Sequence, residues 1–202
     1  MGMENILGEP AVAYESFCSE EDYLNMEWEN GIRYEYWDGT LVAMAGGRPR
    51  HAEINGNILF AFKSKMKGTG CKVYNSDVLL KLPVGKKYFL PDVVVTCNTD
   101  DIESEHFFNN PSIIVEVLSD STELYDRVKK WEQYRRIKSL RYYLLVRQNE
   151  FLVDMYHRHN ETSLFYYQSF TGLDEIIHFE NLGIGVKMGE IYDGINLEIK
   201  TP

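Results

Sequence analysis

The spacing of hydrophobic residues alternates between helical and strand-like segments along the chain, and this alternation outlines the fold. Residues 51–67 carry apolar side chains at helical spacing, which predicts an amphipathic helix. Residues 122–138 return to that spacing, with Val128, Trp131 and Ile137 along one side. We expect this apolar side to pack on a sheet.

The other segments have the composition and short length of β-strands. Two nearly continuous apolar runs, 92–96 and 112–118, predict central strands covered on both faces. A long polar loop, 97–111, is expected between them. Further strands are predicted at 71–75, 78–82, 142–146, 151–157, 163–170 and 175–179.

The N-terminal part carries two local signals. Ser19 followed by three acidic residues has the pattern of a capping box and predicts a helix over 20–28, ended by Gly31. The Asp38-Gly39 pair stands between two strand-like runs. Such a pair is a strong short-range signal of a β-hairpin.

These elements predict a single domain with an α/β (α+β) fold built around a mixed sheet. The length of 202 residues is typical of one domain. The content of 44% hydrophobic and 26% charged residues excludes a disordered chain. We expect an N-terminal helix and hairpin over 1–50, a core over 51–147 and a β-rich extension over 148–202.

The sequence predicts a soluble, cytoplasmic protein. No apolar run approaches the roughly 18 residues that a membrane span needs, so no membrane partner is expected. The three cysteines, Cys18, Cys71 and Cys97, are odd in number and far apart. They are therefore expected to be small buried residues, without a disulfide framework or a thiolate zinc site.

Charge is distributed unevenly along the chain. The net charge of -10 argues against a nucleic-acid ligand, but it divides into -9 over 1–47, +5 over 48–149 and -6 over 150–202. A basic middle part is consistent with a face for a phosphate backbone. The charge alone is also consistent with lysines and arginines that only form the solvent-exposed faces of helices.

Two carboxylates stand in otherwise apolar central strands. They are Asp92, after Pro91, and Glu116. A buried carboxylate costs several kcal/mol unless it is paired or binds a metal. Acids on neighbouring strands can share one Mg²⁺, which prefers oxygen ligands. The alternative is that each acid pairs with an arginine or caps a helix.

Several short segments occur in an order and at spacings that chance does not explain. Together they resemble the Uma-two type family of restriction-endonuclease-like proteins, a branch of the PD-(D/E)xK nuclease superfamily. The similarity covers roughly residues 20–160. The segments are Tyr34-Glu-Tyr-Trp-Asp38-Gly39, His51, Pro91-Asp92, Glu116 with Ser119, Asp126-Arg-Val-Lys-Lys130-Trp-Glu-Gln-Tyr134, and Arg141-Tyr-Tyr-Leu-Leu-Val.

The resemblance implies a restriction-endonuclease-like core of helix, three strands, helix and strand, with a metal-dependent phosphodiesterase site. Asp92, Glu116 and the backbone carbonyl of Val117 would hold Mg²⁺ or Mn²⁺. The superfamily places a lysine two residues after the glutamate, where this chain has Leu118. The family's Asp-x-x-x-Lys segment offers Lys130 as the catalytic cation, one helix later.

Other polar residues have two interpretations each. Glu35 either joins the metal site as an extra acid or faces solvent, and His51 either contacts the scissile phosphate or only begins a helix. Asp77 fits a turn residue better than a site residue. His157 and His159 fit an exposed strand, and the 14 tyrosines fit a core or a dimer interface better than base stacking.

The leading hypothesis is a Mg²⁺-dependent endonuclease that hydrolyses DNA phosphodiester bonds. The rival is a catalytically impaired nuclease-fold module for DNA binding or dimerisation, which Leu118 and the acidic pI favour. A phosphodiesterase for small molecules is a third possibility. A homodimer is expected from the resemblance only.

Overall fold

The fold is mixed α and β. The computed structural model describes residues 17–27, 32–44, 48–104, 106–119, 122–160 and 162–197. The helices are α1 (Glu20–Leu24), α2 (Pro49–Lys65), α3 (Thr99–Glu103), α4 (Trp131–Tyr134), which continues a π-helical turn (Tyr125–Lys130), and α5 (Met188–Ile191). The strands are β1 (Tyr34–Trp37), β2 (Thr40–Ala43), β3 (Lys72–Asn75), β4 (Leu79–Lys81), β5 (Lys87–Phe89), β6 (Val93–Thr96), β7 (Phe107–Phe108), β8 (Pro111–Leu118), β9 (Tyr142–Arg147), β10 (Val153–Arg158), β11 (Phe165–Phe170), β12 (Ile176–Phe179) and β13 (Ile184–Lys187).

The strands form a large central sheet, a second sheet and a C-terminal hairpin. The central sheet has the order β11-β10-β9-β8-β6-β3, and the second has the order β2-β1-β5-β4-β7. In the central sheet β8 and β9 are parallel, whereas the other neighbours are antiparallel. The predicted α+β fold with a mixed sheet is confirmed.

Both faces of the central sheet are covered. On one face α2, α5 and the β12–β13 hairpin bury side chains such as Phe62 and Phe179. On the other face the second sheet and α4 bury Phe89, Tyr134 and Tyr143. Every residue of β6 is buried, as expected for a central strand.

The sequence sets both ends of α2. Pro49 occupies the first turn, where its missing N–H and fixed φ suit a helix start. Lys63 and Lys65 lie in the last turn, where positive charge is favourable. The buried face of Ile54, Ile58, Ala61 and Phe62 holds the helix on the sheet, so its first turn lies over the sheet's end.

The β1–β2 hairpin has the predicted turn. Asp38 and Gly39 have φ values of 47° and 104°, as a two-residue turn that follows the strand twist requires. The register pairs Glu35 with Val42. The hairpin therefore fixes the position of Glu35 in the second sheet.

Two other predictions need correction. The first helix ends at Leu24 instead of residue 28, and the predicted stop at Gly31 lies outside the described residues. The segment 97–111 is not a plain loop, because it contains α3 and β7. The Asn98 side chain accepts hydrogen bonds from the first-turn N–H groups of α3 and so begins that helix.

The prediction for the cysteines is wrong for two of them. Cys71 and Cys97 form a disulfide, and Cys18 is the one free cysteine among the described residues. The antiparallel pairing of Lys72 with Thr96 brings the two cysteines to neighbouring positions, although 26 residues separate them in sequence. Within the described ranges, no helix is long and apolar enough to cross a membrane.

Breaking this disulfide is expected to lower the free energy of unfolding by about 3 kcal/mol, because the bond restricts a loop of this length in the unfolded chain. Urea unfolding with and without dithiothreitol measures the difference for the wild type and for a Cys71→Ala/Cys97→Ala double variant. Cys18→Ala is the control and should not change the response to the reductant. Equal stability in oxidised and reduced wild type would contradict the prediction.

Candidate active site

A cleft of about 1140 Å³ opens at the C-terminal end of β8. The first turn of α2, the π-helical turn and the end of the β1–β2 hairpin form its other walls. In the antiparallel register Val93 lies opposite Val115, so the residues before β6 reach the last residues of β8. This register places Asp92 beside Glu116 at the floor of the cleft.

Asp92 is held by two donors. Its Oδ2 accepts a hydrogen bond from the backbone N–H of Val117 at 2.7 Å and lies 3.2 Å from His51 Nε2. Burial acts to lower the pKa of His51, but the hydrogen bond to Asp92 and the charges of Asp92 and Asp126 raise it above its ordinary value. His51 therefore contacts Asp92 at the candidate site, and its contact with a phosphate stays a prediction.

Lys130 lies at the centre of a carboxylate cluster. Its Nζ is 3.0 Å from Glu116 Oε1, 3.1 Å from Glu35 Oε1 and 3.4 Å from Asp126 Oδ1. Lys130 lines the cleft. The residue is only 4% exposed, and three carboxylates surround its charge.

The π-helical turn determines which side chains face the site. Asp126 and Lys130 lie in this turn, and Tyr134 follows in α4. A π-helical turn contains an extra residue, so residues after it rotate relative to an α-helix. The expected apolar stripe is therefore wrong at Val128, which is 43% exposed, whereas Ile137 is buried as predicted.

Two tyrosines, the buried Tyr134 and the half-buried Tyr125, position the glutamates. Tyr134 donates its hydroxyl hydrogen to Glu116 Oε1 at 2.8 Å, and Tyr125 donates to Glu35 Oε2 at 3.1 Å. The backbone N–H of Leu90 donates to Glu35 Oε1. Glu35 is thus a buried member of the cluster and does not face solvent.

Sequence reasoning did not identify Asp126, Tyr125 and Tyr134 as site residues. The spacing of Asp126, Lys130 and Tyr134 at i, i+4 and i+8 was the available signal, since such residues share one side of a helix. Nothing in the local pattern distinguished Tyr125 from a core tyrosine. Its contact with Glu35 depends on a strand 90 residues earlier.

The cluster carries more negative than positive charge. Burial raises the pKa of Glu116 well above its ordinary value, Lys130 opposes this, and the neighbouring acids add to it. Burial raises the pKa of Asp126 to about 6, again against Lys130, with Asp92 and Glu35 adding to the rise. Burial disfavours the Lys130 ammonium, but the surrounding carboxylates outweigh burial and raise its pKa. The site therefore favours a further cation.

The donor set fits Mg²⁺ or Mn²⁺. The hydrogen bonds of Asp92 go to Oδ2 and those of Glu116 go to Oε1, so within the described ranges Asp92 Oδ1 and Glu116 Oε2 accept none. Both residues line the cleft. No group of three or more His, Cys, Asp or Glu side chains in those ranges is arranged around a metal position. Mg²⁺ commonly takes one or two carboxylates and completes its shell with water and phosphate oxygens.

The rim of the cleft is basic and rich in amides. Arg33, Arg48 and Arg50 line it, together with Asn149. Arg33 bonds to the carbonyl and hydroxyl oxygens of Ser76, and Arg50 bonds to Asn149 Oδ1. Positive charge around an acidic floor suits a ligand that carries phosphate groups.

Other candidates from the sequence lie elsewhere or have structural partners. Asp77 is a turn residue, as predicted, and it also pairs with Arg33. Lys129 and Arg135 are exposed but do not line the cleft. His157 and His159 are partly exposed and both contact the ring of Tyr166.

Comparison with known proteins places the chain in a family. The sequence profile of the Uma2 family, described as "Putative restriction endonuclease", matches residues 20–187. The chain belongs to the Uma2 family. This Uma2 protein is also 34% identical to the uncharacterized protein slr1290 of Synechocystis sp. over 179 residues, which cover 88% of the chain and 92% of slr1290. It is 29% identical to the uncharacterized protein sll1609 of the same organism over 151 residues, which cover 73% of the chain and 84% of sll1609.

A solved structure shares the fold of this Uma2 protein. The crystal structure of a putative nuclease belonging to DUF820 from Anabaena variabilis superposes with a TM-score of 0.70. The match covers 87% of this chain and 97% of the other, at 14% sequence identity. The likeness confirms the predicted restriction-endonuclease-like fold, whereas the roles of the individual site residues stay predictions.

Proposed function

We propose that this Uma2 protein is a metal-dependent endonuclease that hydrolyses DNA phosphodiester bonds. The observation that carries the proposal is the position of Lys130 Nζ, 3.0 Å from Glu116, beside an acid pair at the floor of a basic-rimmed cleft. The family description and that of the Anabaena protein, each naming a nuclease, support the reaction class. Restriction endonucleases act on DNA, which supports DNA as the substrate.

Asp92 and Glu116 are the side chains that would hold the metal. Each offers the cleft one carboxylate oxygen that accepts no hydrogen bond from the described residues. A bound Mg²⁺ or Mn²⁺ would supply Lewis-acid activation of the phosphate and lower the pKa of a water. The excess of carboxylates over cations gives the affinity, since a divalent ion relieves repulsion that burial strengthens.

The backbone of Val117 is suited to be the third ligand. Its N–H points to Asp92, and the N–H and C=O of one strand residue point to the same edge of that strand. The pairing of β8 with β6 ends at Val115. The Val117 carbonyl therefore lies on the side of Asp92, beyond the last paired residue.

The superfamily places its lysine at the position where this chain has Leu118. Lys130 would supply the ammonium in its place. Leu118 is buried in the apolar core between the two sheets and cannot contact a phosphate. The helix supplies the ammonium from another direction, and only its final position matters for stabilising developing charge. In hydrolysis a water oxygen forms a bond to phosphorus while the bond to the leaving oxygen breaks. Lys130 would orient that water and stabilise negative charge on the phosphoryl oxygens.

The test of this proposal is a cleavage assay with plasmid DNA, linear duplex, single strands and RNA of matched length. We expect cleavage of DNA with Mg²⁺ or Mn²⁺ and none after chelation with EDTA. Cleavage that persists in EDTA would contradict metal dependence. Tight duplex binding without cleavage under any metal would favour the non-catalytic module, and cleavage of small phosphodiesters alone would identify a different substrate class.

The basic rim predicts a salt-dependent affinity for duplex DNA. Arg48→Ala and Arg50→Ala are each expected to weaken binding and to reduce the slope of log affinity against log salt by about one per lost phosphate contact. Fluorescence anisotropy from low to moderate salt measures the slope. Lys138→Ala, which removes an exposed charge outside the cleft, is the matched control. Equal slopes for all variants would show that the rim does not contact phosphates.

A further inference from the structure

The strand β11 leaves one side of its backbone without a partner in the described part of the chain. It is the last strand of the central sheet and pairs only with β10. The His159 N–H bonds to the Leu164 carbonyl, and in an antiparallel ladder the bonded pairs alternate with non-bonded ones. The N–H and C=O groups of Phe165, Tyr167 and Ser169 therefore point away from β10.

Among the residues that the structure describes, this edge has none of the usual features that protect an exposed strand. Residues 163–170 contain no charged side chain and no proline, and the four central residues of β11 are exposed. Natural proteins normally cover or charge such an edge, because it is a template for pairing with another chain. A neutral edge on a chain of net charge -10 is a place where two copies can approach with little repulsion.

An apolar ridge of the helix lies beside the same edge. Leu124 and Val128 are 47% and 43% exposed, and they lie at i and i+4. Trp131, three residues further, contacts the rings of Tyr156 and Phe165 in β10 and β11. Trp131 thus connects the helical segment that carries this ridge to the neutral strand.

The ends of β11 carry opposite charge. Arg135 and Arg158 lie near its first residue. The Arg158 guanidinium donates a hydrogen bond to the backbone carbonyl of Arg135. Beyond its last residue come Asp174, which forms an ion pair with Lys187, and Glu175, which accepts hydrogen bonds from the Thr171 and Gly172 N–H groups. Two acids against one lysine leave this end with an excess of negative charge. In an antiparallel pair of identical strands the basic end of one copy meets the acidic end of the other.

We propose that β11 is a homodimer interface, at which two copies pair antiparallel about a two-fold axis at Tyr167. In this register Tyr167 faces the partner's Tyr167, and Phe165 faces the partner's Ser169. The outward backbone groups of three residues then find partners, and the two central sheets form one twelve-stranded sheet. The helices lie on the same side of that sheet, where their apolar ridges approach each other. The interface does not depend on the nuclease activity proposed above.

Sedimentation of the whole chain over a wide concentration range tests the proposal through two variants. Tyr167→Pro removes an outward N–H that β10 does not use, and Pro is tolerated on edge strands. Tyr167→Thr removes the same phenol but keeps the N–H, so it is the matched control. We expect a concentration-dependent dimer for the wild type and for Tyr167→Thr. Tyr167→Pro should dimerise roughly thirtyfold more weakly. Each copy loses the hydrogen bond that its residue 167 N–H donates, so the dimer loses two.

Hydrogen exchange on the wild type provides a measurement that does not depend on how the variants fold. The amides of Phe165, Tyr167 and Ser169 should become protected as concentration rises, whereas those of Tyr166 and Gln168 should be protected at every concentration. A monomer at all concentrations would overturn the proposal. A dimer in which these three amides stay unprotected, or one that Tyr167→Pro leaves intact, would also overturn it.

Discussion

Replacing Asp92 by Asn is expected to lower DNA cleavage by at least about 10²–10³-fold and to weaken Mg²⁺ or Mn²⁺ binding. The amide keeps the size of the side chain but removes a negative charge and one of the two free carboxylate oxygens. It also weakens the acceptor for the Val117 N–H, which bonds to Asp92 at 2.7 Å. Calorimetric titration with each metal, alongside the cleavage rate, measures both effects.

Asp77→Asn is the matched control for this experiment. Asp77 also lines the cleft, but it is an exposed turn residue paired with Arg33. Its amide variant should bind metal and cleave DNA like the wild type. A wild type that binds neither ion more tightly than Asp92→Asn would contradict the proposed metal site, whatever the cleavage result.

Replacing Lys130 by Met is expected to lower cleavage by about 10²-fold or more, because one donor to the transition state is lost. The variant should bind metal at least as tightly as the wild type, since Lys130 is not a ligand and its charge competes with the ion beside Glu116. Lys129→Met removes a neighbouring exposed lysine and should leave the cleavage rate unchanged. Equal cleavage by the wild type and Lys130→Met would remove Lys130 from the mechanism.

The same variant should also be less stable without metal, by about 3–5 kcal/mol near pH 8, because the buried carboxylates lose the ammonium that lies among them. The pKa values of Glu116 and Asp126 are already raised in the folded chain, and loss of Lys130 would raise them further. An acid with a raised folded pKa destabilises the fold as pH rises through that range. The deficit should therefore shrink toward pH 5, and urea unfolding at both values measures it.

The sequence predicts the fold best where one strong pattern decides a local structure. The helix predicted over 51–67 spans Pro49–Lys65, and the Asp38-Gly39 turn is present as expected. The strand β5 and the helix α5 were missed, because each is three or four residues long and lacks a distinct period. Such short elements form only because packing with distant segments holds them.

The site was predictable in part. An acid in an apolar strand identified Asp92 and Glu116, and the family resemblance identified Lys130. The environment of Lys130 was not predictable, because it depends on a π-helical turn and on Glu35 from a different sheet. The disulfide was missed for a similar reason, since the register of β3 with β6 brings its cysteines together.

The contact between Glu35, Lys130 and Glu116 links three structural elements that are distant in the sequence. Glu35 belongs to the second sheet, Glu116 to the central sheet and Lys130 to the helical segment between β8 and β9. If the second sheet detached, the ammonium would lose one of its acids and water would enter around the other two. The arrangement of charges around Lys130 and the docking of the two sheets are therefore thermodynamically coupled. A shortened chain without the β1–β2 hairpin would retain the proposed ligands Asp92 and Glu116. It would lack Glu35, one of the three carboxylates around Lys130.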